Sequence, residues 1–366
     1  MSSGRQLIGL PALFCALTSC YEMNMQTNLY FGYGSNLDRD DWGRFCQRRG
    51  FDPDCVTPVG PASLPDHALV FNYHSPRRGG GVLNVLPHPG SIVSGWLFRY
   101  DEEGLRALDV KEGVPHAYRR EQVVVLDDTH AEHHVLTYRV IEENTEAFVT
   151  PAAEYLAICR RARSVLGIDV AILEEAACGR GGGACHSVFV YGTLMSGERR
   201  HDLWRDAPGL LEVAPAEVPG RLVDCGAYPG LAPLLDADDR VRGELLRFET
   251  LGGLIDAMDA YEDFAGYGAS GNQYRRIPVE ARTGQGSAHP AWAYLYLAAD
   301  GLPPIAGGCW RTHRTRTLCR TPPRRTRSRT PPSSRNHPRC GRSACIRARW
   351  GRDRGRRRWL RRWRGS

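Results

Sequence analysis

The stretch Leu29-Tyr30-Phe31-Gly32-Tyr33-Gly34-Ser35-Asn36-Leu37 decides the fold. Aromatic residues alternate with smaller ones in its first half, which is typical of a half-buried β-strand. The Gly-Ser-Asn triplet then supplies a residue that tolerates positive φ, a hydroxyl and a side-chain amide, which together favour a tight turn. The backbone N–H groups of such a turn stay free to bind an anion or a carbonyl oxygen. We therefore predict a strand that runs directly into a binding loop.

A second stretch, Ser187-Val188-Phe189-Val190-Tyr191-Gly192-Thr193-Leu194, repeats this pattern of an aromatic strand, a Tyr-Gly pair and a hydroxyl residue. In each unit a glutamate, Glu112 or Glu262, follows the turn glycine by 78 or 70 residues. A Tyr-Arg-Arg sequence follows each glutamate, at Tyr118-Arg119-Arg120 and at Tyr274-Arg275-Arg276. Neither composition nor periodicity requires this match, so it indicates an internal duplication.

The net charge of +7 averages two unlike parts of the 366-residue chain. Residues 311–366 contain 21 arginines, no lysine and one aspartate, for a net charge of +20, so the rest of the chain carries −13. Any attraction to nucleic acid therefore belongs to this tail alone. The 12 cysteines are scattered and form no Cys-x-x-Cys pair, which favours reduced thiols in a cytoplasmic protein.

The N-terminal residues 1–27 hold an apolar run at residues 7–17. If that run is a signal sequence, the protein is exported. The alternative is that translation begins at Met23 or Met25 and that the preceding residues are an extension. Nothing elsewhere in the sequence has the length expected of a membrane-spanning segment.

The patterning predicts an α+β fold of two tandem small mixed β-barrels with short helices, over residues 28–177 and 187–298. In the first unit we expect strands at 68–73, 82–86, 92–100, 121–126 and 135–141, and helices within 100–112 and at 151–166 and 170–177. In the second we expect helices at 197–205 and 251–260 and strands at 220–224, 242–248, 274–281 and 291–297. Residues 178–186 form a glycine-rich linker, whose composition predicts a flexible joint.

Residues 299–366 are rich in Arg, Pro, Thr and Ser, and we expect them to be disordered because they cannot bury enough apolar surface. One interpretation is an electrostatic arm for RNA or an acidic partner, with tryptophans as stacking groups: Trp310, Trp350, Trp359 and Trp363. The other is GC-rich coding sequence read out of frame.

Glu112 and Glu262 each follow an apolar helical segment and precede a Tyr-Arg-Arg strand. A carboxylate shielded there by aromatic residues has a raised pKa and can act as a base near neutral pH. The alternative is a structural role, in which the glutamate pairs with Arg119 or Arg275 on the next strand.

Motifs in both units resemble those of the γ-glutamylcyclotransferase family. The first unit does so through Tyr33-Gly34-Ser35-Asn36-Leu37, Gly79-Gly80-Gly81 and Lys111-Glu112-Gly113-Val114. The second resembles the related γ-glutamylamine cyclotransferase and AIG2-like branch through Tyr191-Gly192-Thr193-Leu194, Tyr261-Glu262 and Tyr274-Arg275-Arg276. The resemblance covers about residues 28–177 and 187–298.

This resemblance implies a small β-barrel and a reaction without a cofactor. The α-amine of a γ-glutamyl amine, amino acid or peptide attacks its own γ-carbonyl, which releases the amine and leaves 5-oxoproline. Glu112 and Glu262 would be the catalytic bases. The implied substrate-binding residues are Tyr33, Gly34, Ser35, Asn36, Leu37 and Tyr118 in the first unit, and Tyr191, Gly192, Thr193, Leu194 and Tyr274 in the second. The implied partner is this small-molecule substrate, and no association with a membrane is expected.

The second unit departs from the first in two ways. It has Thr-Leu where the first has Ser-Asn-Leu, and twelve positions rather than six separate its glutamate from its tyrosine. The extra residues form a glycine-rich segment at 265–272, here called the lid, which would change the accepted leaving group or close the site. A pair of non-catalytic barrels that bind metabolites or partners is therefore an alternative to the enzyme.

Other reactive residues point to no further chemistry. His130, His133 and His134 lie in a polar turn and are expected to be solvated, so we predict no metal site. Ser35 and Ser187 lack a Gly-x-Ser-x-Gly elbow, which argues against a hydrolase triad.

Overall fold

The structure is a computed structural model that describes residues 28–284 and 286–320. The predicted N-terminal extension at 1–27 and residues 321–366 of the arginine-rich tail lie outside the described residues. None of the described helices combines the length and apolarity needed to cross a membrane.

The first unit is a closed barrel of five strands, which runs in the order β1-β3-β2-β4-β5. These strands are β1 (Leu29–Gly32), β2 (Val56–Ser75), β3 (Gly80–Tyr100), β4 (Tyr118–Asp127) and β5 (Glu132–Val140). All neighbours are antiparallel except β1 and β5, which pair in parallel and close the ring. Three register shifts along β2 mark irregularities of the kind that let a long strand bend around a barrel.

Four helices belong to the first unit: α1 (Arg39–Arg49), α2 (Glu102–Glu112), α3 (Ala153–Val165) and α4 (Ala171–Ala177). Helix α2 begins where the Asp101 side chain accepts a hydrogen bond from the Gly104 N–H, and it ends at Gly113 with φ of 69°. It buries Ala107 and Leu108 in the barrel core. Its last residue is therefore Glu112, at the edge of that core.

The second unit closes a similar ring, in the order β11-β7-β10-β6-β12, with β11 paired to β12. Strands β9 and β8 extend the sheet beyond β12. The elements are β6 (Ser187–Val190), β7 (Leu210–Pro219), β8 (Arg221–Asp224), β9 (Pro229–Ala232), β10 (Arg240–Phe248), α5 (Gly252–Tyr261), β11 (Tyr274–Thr283) and β12 (Ala288–Tyr296). The prediction of an α+β fold with two small barrels is confirmed.

Some local predictions were wrong. The helix expected at residues 197–205 is only a short 3₁₀ turn, His201–Leu203, in a segment that starts with Gly197 at φ of 76°. Helix α1 and strand β7 were not predicted. The signal for α1 was present, because Asp38 caps it, Gly50 ends it, and Trp42, Phe45 and Cys46 lie on one helical face.

The packed chain continues past residue 298, where we predicted the disordered tail to begin. Ile305 and Trp310 are buried in the core of the second barrel, and a sixth helix, α6 (Trp310–Arg320), follows. Arg311 pairs with the buried Glu244 at 3.0 Å. The start of the tail at 299 is therefore a wrong prediction, and Trp310 is a core residue rather than an exposed stacking group.

The glycine-rich linker at residues 178–186 is packed against the first barrel, which contradicts the predicted flexible joint. The Leu69 N–H donates to the Gly182 carbonyl oxygen at 2.9 Å, and the Ile92 N–H donates to the Gly183 oxygen at 2.8 Å. A Cβ atom at Gly182 would lie 1.9 Å from the Ile172 carbonyl oxygen. The glycines are needed for close backbone contact rather than for freedom of movement.

The two barrels also contact each other directly. The buried Trp292 of β12 donates from Nε1 to the Gly90 carbonyl oxygen in β3, at 2.8 Å. Arg276 of β11, of which 2% is exposed, binds both carboxylate oxygens of Asp66, at 2.9 and 2.7 Å. The first barrel therefore forms part of the surroundings of β11, the strand that carries Tyr274.

Candidate active sites

Glu112 lies in a cavity of about 300 Å³ in the first barrel, here called cavity one. Ser35 of the predicted binding loop and Tyr118 of β4 line the same cavity. Three cations, Arg77, Arg78 and Lys111, lie among the other wall residues. The end of α2 thus brings a carboxylate, a loop hydroxyl and three cations to one space.

Asn36 fixes the Glu112 carboxylate. Its Nδ2 donates to Glu112 Oε1 at 2.7 Å and to the Tyr30 hydroxyl at 2.9 Å. Burial raises the pKa of Glu112, while the positive charge of Lys111, the Asn36 hydrogen bond and the two arginines oppose that rise. The result is a carboxyl group with a pKa above its ordinary value, held in one orientation by a buried amide.

Two of the three cations in cavity one form ion pairs with Asp41. Lys111 Nζ lies 2.7 Å from Asp41 Oδ2, and Arg78 Nη2 lies 2.7 Å from the same oxygen. Although burial alone would raise it, hydrogen bonds from Arg78 and the charge of Lys111 lower the pKa of Asp41 to about 2. Arg77, by contrast, donates to the Lys111 carbonyl oxygen at 2.9 Å and has no carboxylate partner among the described residues.

Glu262 lies in the corresponding cavity of the second barrel, cavity two, of about 180 Å³. Five predicted binding residues line it: Tyr191, Gly192, Thr193, Leu194 and Tyr274. Leu194 occupies the position of Asn36, so no amide reaches the glutamate. Within residues 28–284 and 286–320 no group donates a hydrogen bond to the Glu262 carboxylate. Burial, together with the nearby negative charge of Asp263, raises the pKa of Glu262 to about 8.

The binding loops of the two barrels share one backbone hydrogen bond. Leu37 N–H donates to the Gly34 oxygen, and Met195 N–H donates to the Gly192 oxygen, both at 3.1 Å. The two N–H groups that precede the donor residue in each loop have no acceptor among the described residues: Ser35 and Asn36 in one, Thr193 and Leu194 in the other. Such paired donors are suited to a developing negative charge on oxygen.

A shared set of hydrogen bonds holds both cavities. The Tyr33 hydroxyl donates to the backbone carbonyl oxygen of Tyr138, and the Tyr191 hydroxyl donates to that of Tyr294, both at 2.6 Å. The second tyrosine of each pair then donates to an aspartate three residues before the catalytic candidate, Tyr138 to Asp109 at 2.8 Å and Tyr294 to Asp259 at 2.7 Å. The duplication inferred from the sequence therefore extends to side-chain contacts that the motifs alone did not reveal.

The arginines of the Tyr-Arg-Arg strands do not pair with the glutamates. Arg120 binds Asp109 and Arg276 binds Asp259, the latter at 3.3 Å. Arg119 pairs with Glu121, and Arg275 pairs with Glu132 of the first barrel. The alternative in which Glu112 or Glu262 is a structural partner of Arg119 or Arg275 is therefore wrong.

The predicted site residues of the first barrel divide into three groups. Ser35 and Tyr118 line cavity one, and Asn36 contacts the cavity wall through its hydrogen bond to Glu112. Tyr33 and Gly34 lie behind the wall, where a Cβ atom on Gly34 would approach the Tyr155 hydroxyl to 3.2 Å. Leu37 is not at the cavity, because its side chain packs in a separate apolar cluster with Ala162 and Ile168.

Sequence reasoning missed the cations of cavity one and the polar groups at the edge of cavity two. Arg77 and Arg78 lie in the turn between β2 and β3, where a basic pair beside glycines was a visible signal. Gln273 lines cavity two and donates to the Tyr228 hydroxyl at 2.7 Å. Nothing in the local sequence around Gln273 indicates this role.

The lid of the second barrel, residues 265–272, docks on the first barrel. The Gly268 N–H donates to Glu132 Oε2 at 2.9 Å, and Arg275 Nε lies 2.7 Å from Glu132 Oε1. Arg275 also donates to the His130 carbonyl oxygen at 2.9 Å. One carboxylate of the first barrel therefore holds both the lid and the strand next to Tyr274.

The histidines of the polar turn have protein surroundings of their own. His133 pairs with Asp127 at 2.7 Å, and burial lowers the pKa of His130. In the described part of the chain no three His, Cys, Asp or Glu side chains are grouped as metal ligands would be.

A family model decides what these two cavities belong to. The model described as "Gamma-glutamyl cyclotransferase, AIG2-like" matches residues 30–157 and again residues 188–312. The chain belongs to this family. The two matched regions coincide with the two barrels, so the cyclotransferase unit is present twice, as the resemblance of the motifs suggested.

Two sequence relatives agree with the family. The gamma-L-glutamyl-butirosin B gamma-glutamyl cyclotransferase of Niallia circulans is 35% identical over 117 residues, which are 32% of this chain and 70% of that protein. A putative gamma-glutamylcyclotransferase of Vibrio cholerae serotype O1 is 36% identical over 119 residues, 32% of this chain and 87% of that protein. A solved gamma-glutamyl cyclotransferase structure has 25% identity and a TM-score of 0.36, over 43% of this chain and 89% of its own.

Proposed function

We propose that this protein cyclises γ-glutamyl compounds, releasing an amine, amino acid or peptide and leaving 5-oxoproline. The observation that carries the proposal is the pairing, in both barrels, of a glutamate of raised pKa with a loop that offers two unpaired N–H groups. Membership of the cyclotransferase family agrees with this chemistry.

The first step is a proton transfer to the glutamate. The α-ammonium group of the substrate is largely protonated at neutral pH and cannot attack a carbonyl until it loses a proton. The ionised carboxylate of Glu112 or Glu262 accepts that proton as a general base, which typically accelerates a reaction by about 10²- to 10⁴-fold. Asn36 orients the Glu112 carboxylate for this transfer.

Ring closure follows. The α-nitrogen forms a bond to the γ-carbon, and the carbonyl electrons move onto oxygen, where the loop N–H groups stabilise them; each donor of this type is worth roughly 3 kcal/mol. When the carbonyl re-forms, the bond from the γ-carbon to the leaving nitrogen breaks. The leaving nitrogen takes the proton back from the glutamate and departs as the amine. The ring nitrogen then loses its second proton to the glutamate, which passes it to the released amine, so the neutral lactam forms, the carboxylate is restored and no other reactant is consumed.

The test is the release of 5-oxoproline by the full-length protein and by single and double variants. We expect Glu112→Gln and Glu262→Gln each to retain the activity of the other barrel, and the double variant to lose at least about 100-fold. Glu121→Gln is the matched control, because Glu121 lies on β4 and pairs only with arginines of its own barrel. Binding of a γ-glutamyl compound without turnover in wild-type protein would instead support a pair of non-catalytic barrels.

A further inference from the structure

Another cavity of the first barrel, of about 230 Å³, adjoins cavity one. The two spaces share four wall residues: Arg77, Arg78, Lys111 and Tyr155. Helix α1, which the sequence analysis missed, provides the far wall through Arg44 and Arg48. A part of the substrate that extends from Glu112 along this shared wall therefore enters a space bounded by arginines. We call this space the arginine cleft and define it by Arg44, Arg48 and Arg77.

None of the three arginines that define the cleft forms an ion pair within the described residues. Arg44 and Arg48 are one turn apart on α1, hence on the same face, and both are exposed. Neither has a hydrogen-bond or ion-pair partner among the described residues, and Arg77 donates only to a backbone oxygen. The acidic residues of the cleft are Asp41, already paired with both Arg78 and Lys111, and the exposed Glu154. The cleft thus keeps an excess of positive charge.

Cavity two is lined by fewer cations. In the described part of the chain its one cationic wall residue is Arg199, and the rest of the wall is neutral apart from Glu262. The segment that corresponds to α1 is the short turn His201–Leu203, so no helix presents a pair of arginines one turn apart. The two barrels therefore offer different surroundings to whatever leaves the γ-carbon.

We propose that the arginine cleft binds a carboxylate of the leaving group in the first barrel. The first barrel then prefers γ-glutamyl amino acids and peptides over the corresponding amides, while the second barrel discriminates little between them. Planar guanidinium groups suit a carboxylate through paired hydrogen bonds. This inference rests on the proposed function, since it assigns the leaving group of that same reaction.

The test compares γ-glutamylglycine with γ-glutamylglycinamide, which differ only in the carboxylate. In the Glu262→Gln protein, where the first barrel alone works, we expect kcat/KM to favour the acid by about tenfold, the worth of one charge-assisted hydrogen bond. Adding Arg44→Gln and Arg48→Gln brings that ratio close to one, because the rate with the acid falls. Arg49→Gln, on the same helix but outside the cleft, leaves the ratio as it was. Higher salt lowers the rate with the acid only.

The possible failures are distinct. If both dipeptides react and the ratio is the same with and without the α1 arginines, the cleft inference is overturned while the proposed function stands. If wild-type protein releases no 5-oxoproline from either compound, the proposed function fails, and calorimetric binding of the two dipeptides then decides the cleft: equal affinities in wild type overturn it. Stronger competition by inorganic phosphate than by glycine would overturn the carboxylate assignment in favour of a phosphate site.

Discussion

The Asn36 side chain donates a hydrogen bond of 2.7 Å to Glu112, whereas the equivalent position in the second barrel is Leu194, whose side chain can donate none. The duplicated site therefore holds the same carboxylate in two environments. In one barrel an amide and nearby cations favour the ionised form, and in the other burial and Asp263 favour the protonated form. Several measurable differences between the barrels follow from this contrast.

The two barrels should differ in pH dependence. The general base must be ionised, so the rate of the second barrel should rise with pH and level off above about 8, the pKa of Glu262. The profile of the first barrel should level off at lower pH, because Lys111, Arg77, Arg78 and Asn36 all oppose the effect of burial on Glu112. The measurement is kcat/KM against pH for Glu112→Gln and Glu262→Gln with one substrate. Coincident profiles would contradict the assignment.

Replacing Asn36 should make the first barrel resemble the second. Asn36→Leu removes the hydrogen bond that favours ionised Glu112, so its pKa rises, and in the Glu262→Gln background kcat/KM at pH 7 should fall about tenfold per pKa unit. The loss should shrink at pH 9. The reciprocal Leu194→Asn in the Glu112→Gln background should shift the pH profile of the second barrel to lower pH. A rate loss independent of pH would show that Asn36 acts only by holding the fold.

Removing the charge of Glu132 should affect the second barrel although Glu132 belongs to the first. Glu132→Gln weakens the contacts to Arg275 and to the lid at Gly268, so the wall at Tyr274 is held less firmly. We expect the activity of the second barrel to fall about threefold to tenfold, or roughly 1 kcal/mol, and that of the first to stay unchanged. The two rates are measured in the Glu112→Gln and Glu262→Gln backgrounds. Equal losses in both would point to general destabilisation instead.

Glu262 should lower the stability of the protein in alkaline solution. Its pKa is about 8 in the folded state and about 4.3 in an unfolded chain, so the folded state binds the proton more tightly. Stability is thus unaffected below about pH 4 and is lost as pH rises towards 8. Glu262→Gln should therefore raise the melting temperature relative to wild type at pH 9 by at least about 2 °C, and by much less at pH 5. The same difference at both pH values would refute this.

The sequence predicted the barrels and the two glutamates because the relevant signals are local. The aromatic strand, the Tyr-Gly turn and the apolar helix before each glutamate are all readable within a few residues. The contact between Asn36 and Glu112 joins residues 76 positions apart and depends on closure of the barrel. The docking of the lid on Glu132 spans 136 positions, and no local pattern indicates it.

The misread linker shows why composition alone misleads. Four glycines within residues 179–183 are typical of a mobile connection, yet Gly182 and Gly183 pair with backbone groups of β2 and β3. Helix α1 was missed for the opposite reason, since its many charged residues hide the apolar face that Trp42, Phe45 and Cys46 form. In both cases the structure of the segment is determined by the residues that pack against it and not by its own composition.

The close approach at Gly182 limits how the protein can be rebuilt. A chimera that exchanged one barrel for a homologue's would have to keep residues 178–186 together with the β2–β3 hairpin, since any larger residue at position 182 would collide with the Ile172 backbone. A crossover point within this glycine run would separate residues that pack against each other, so the crossover point for recombination should lie outside it.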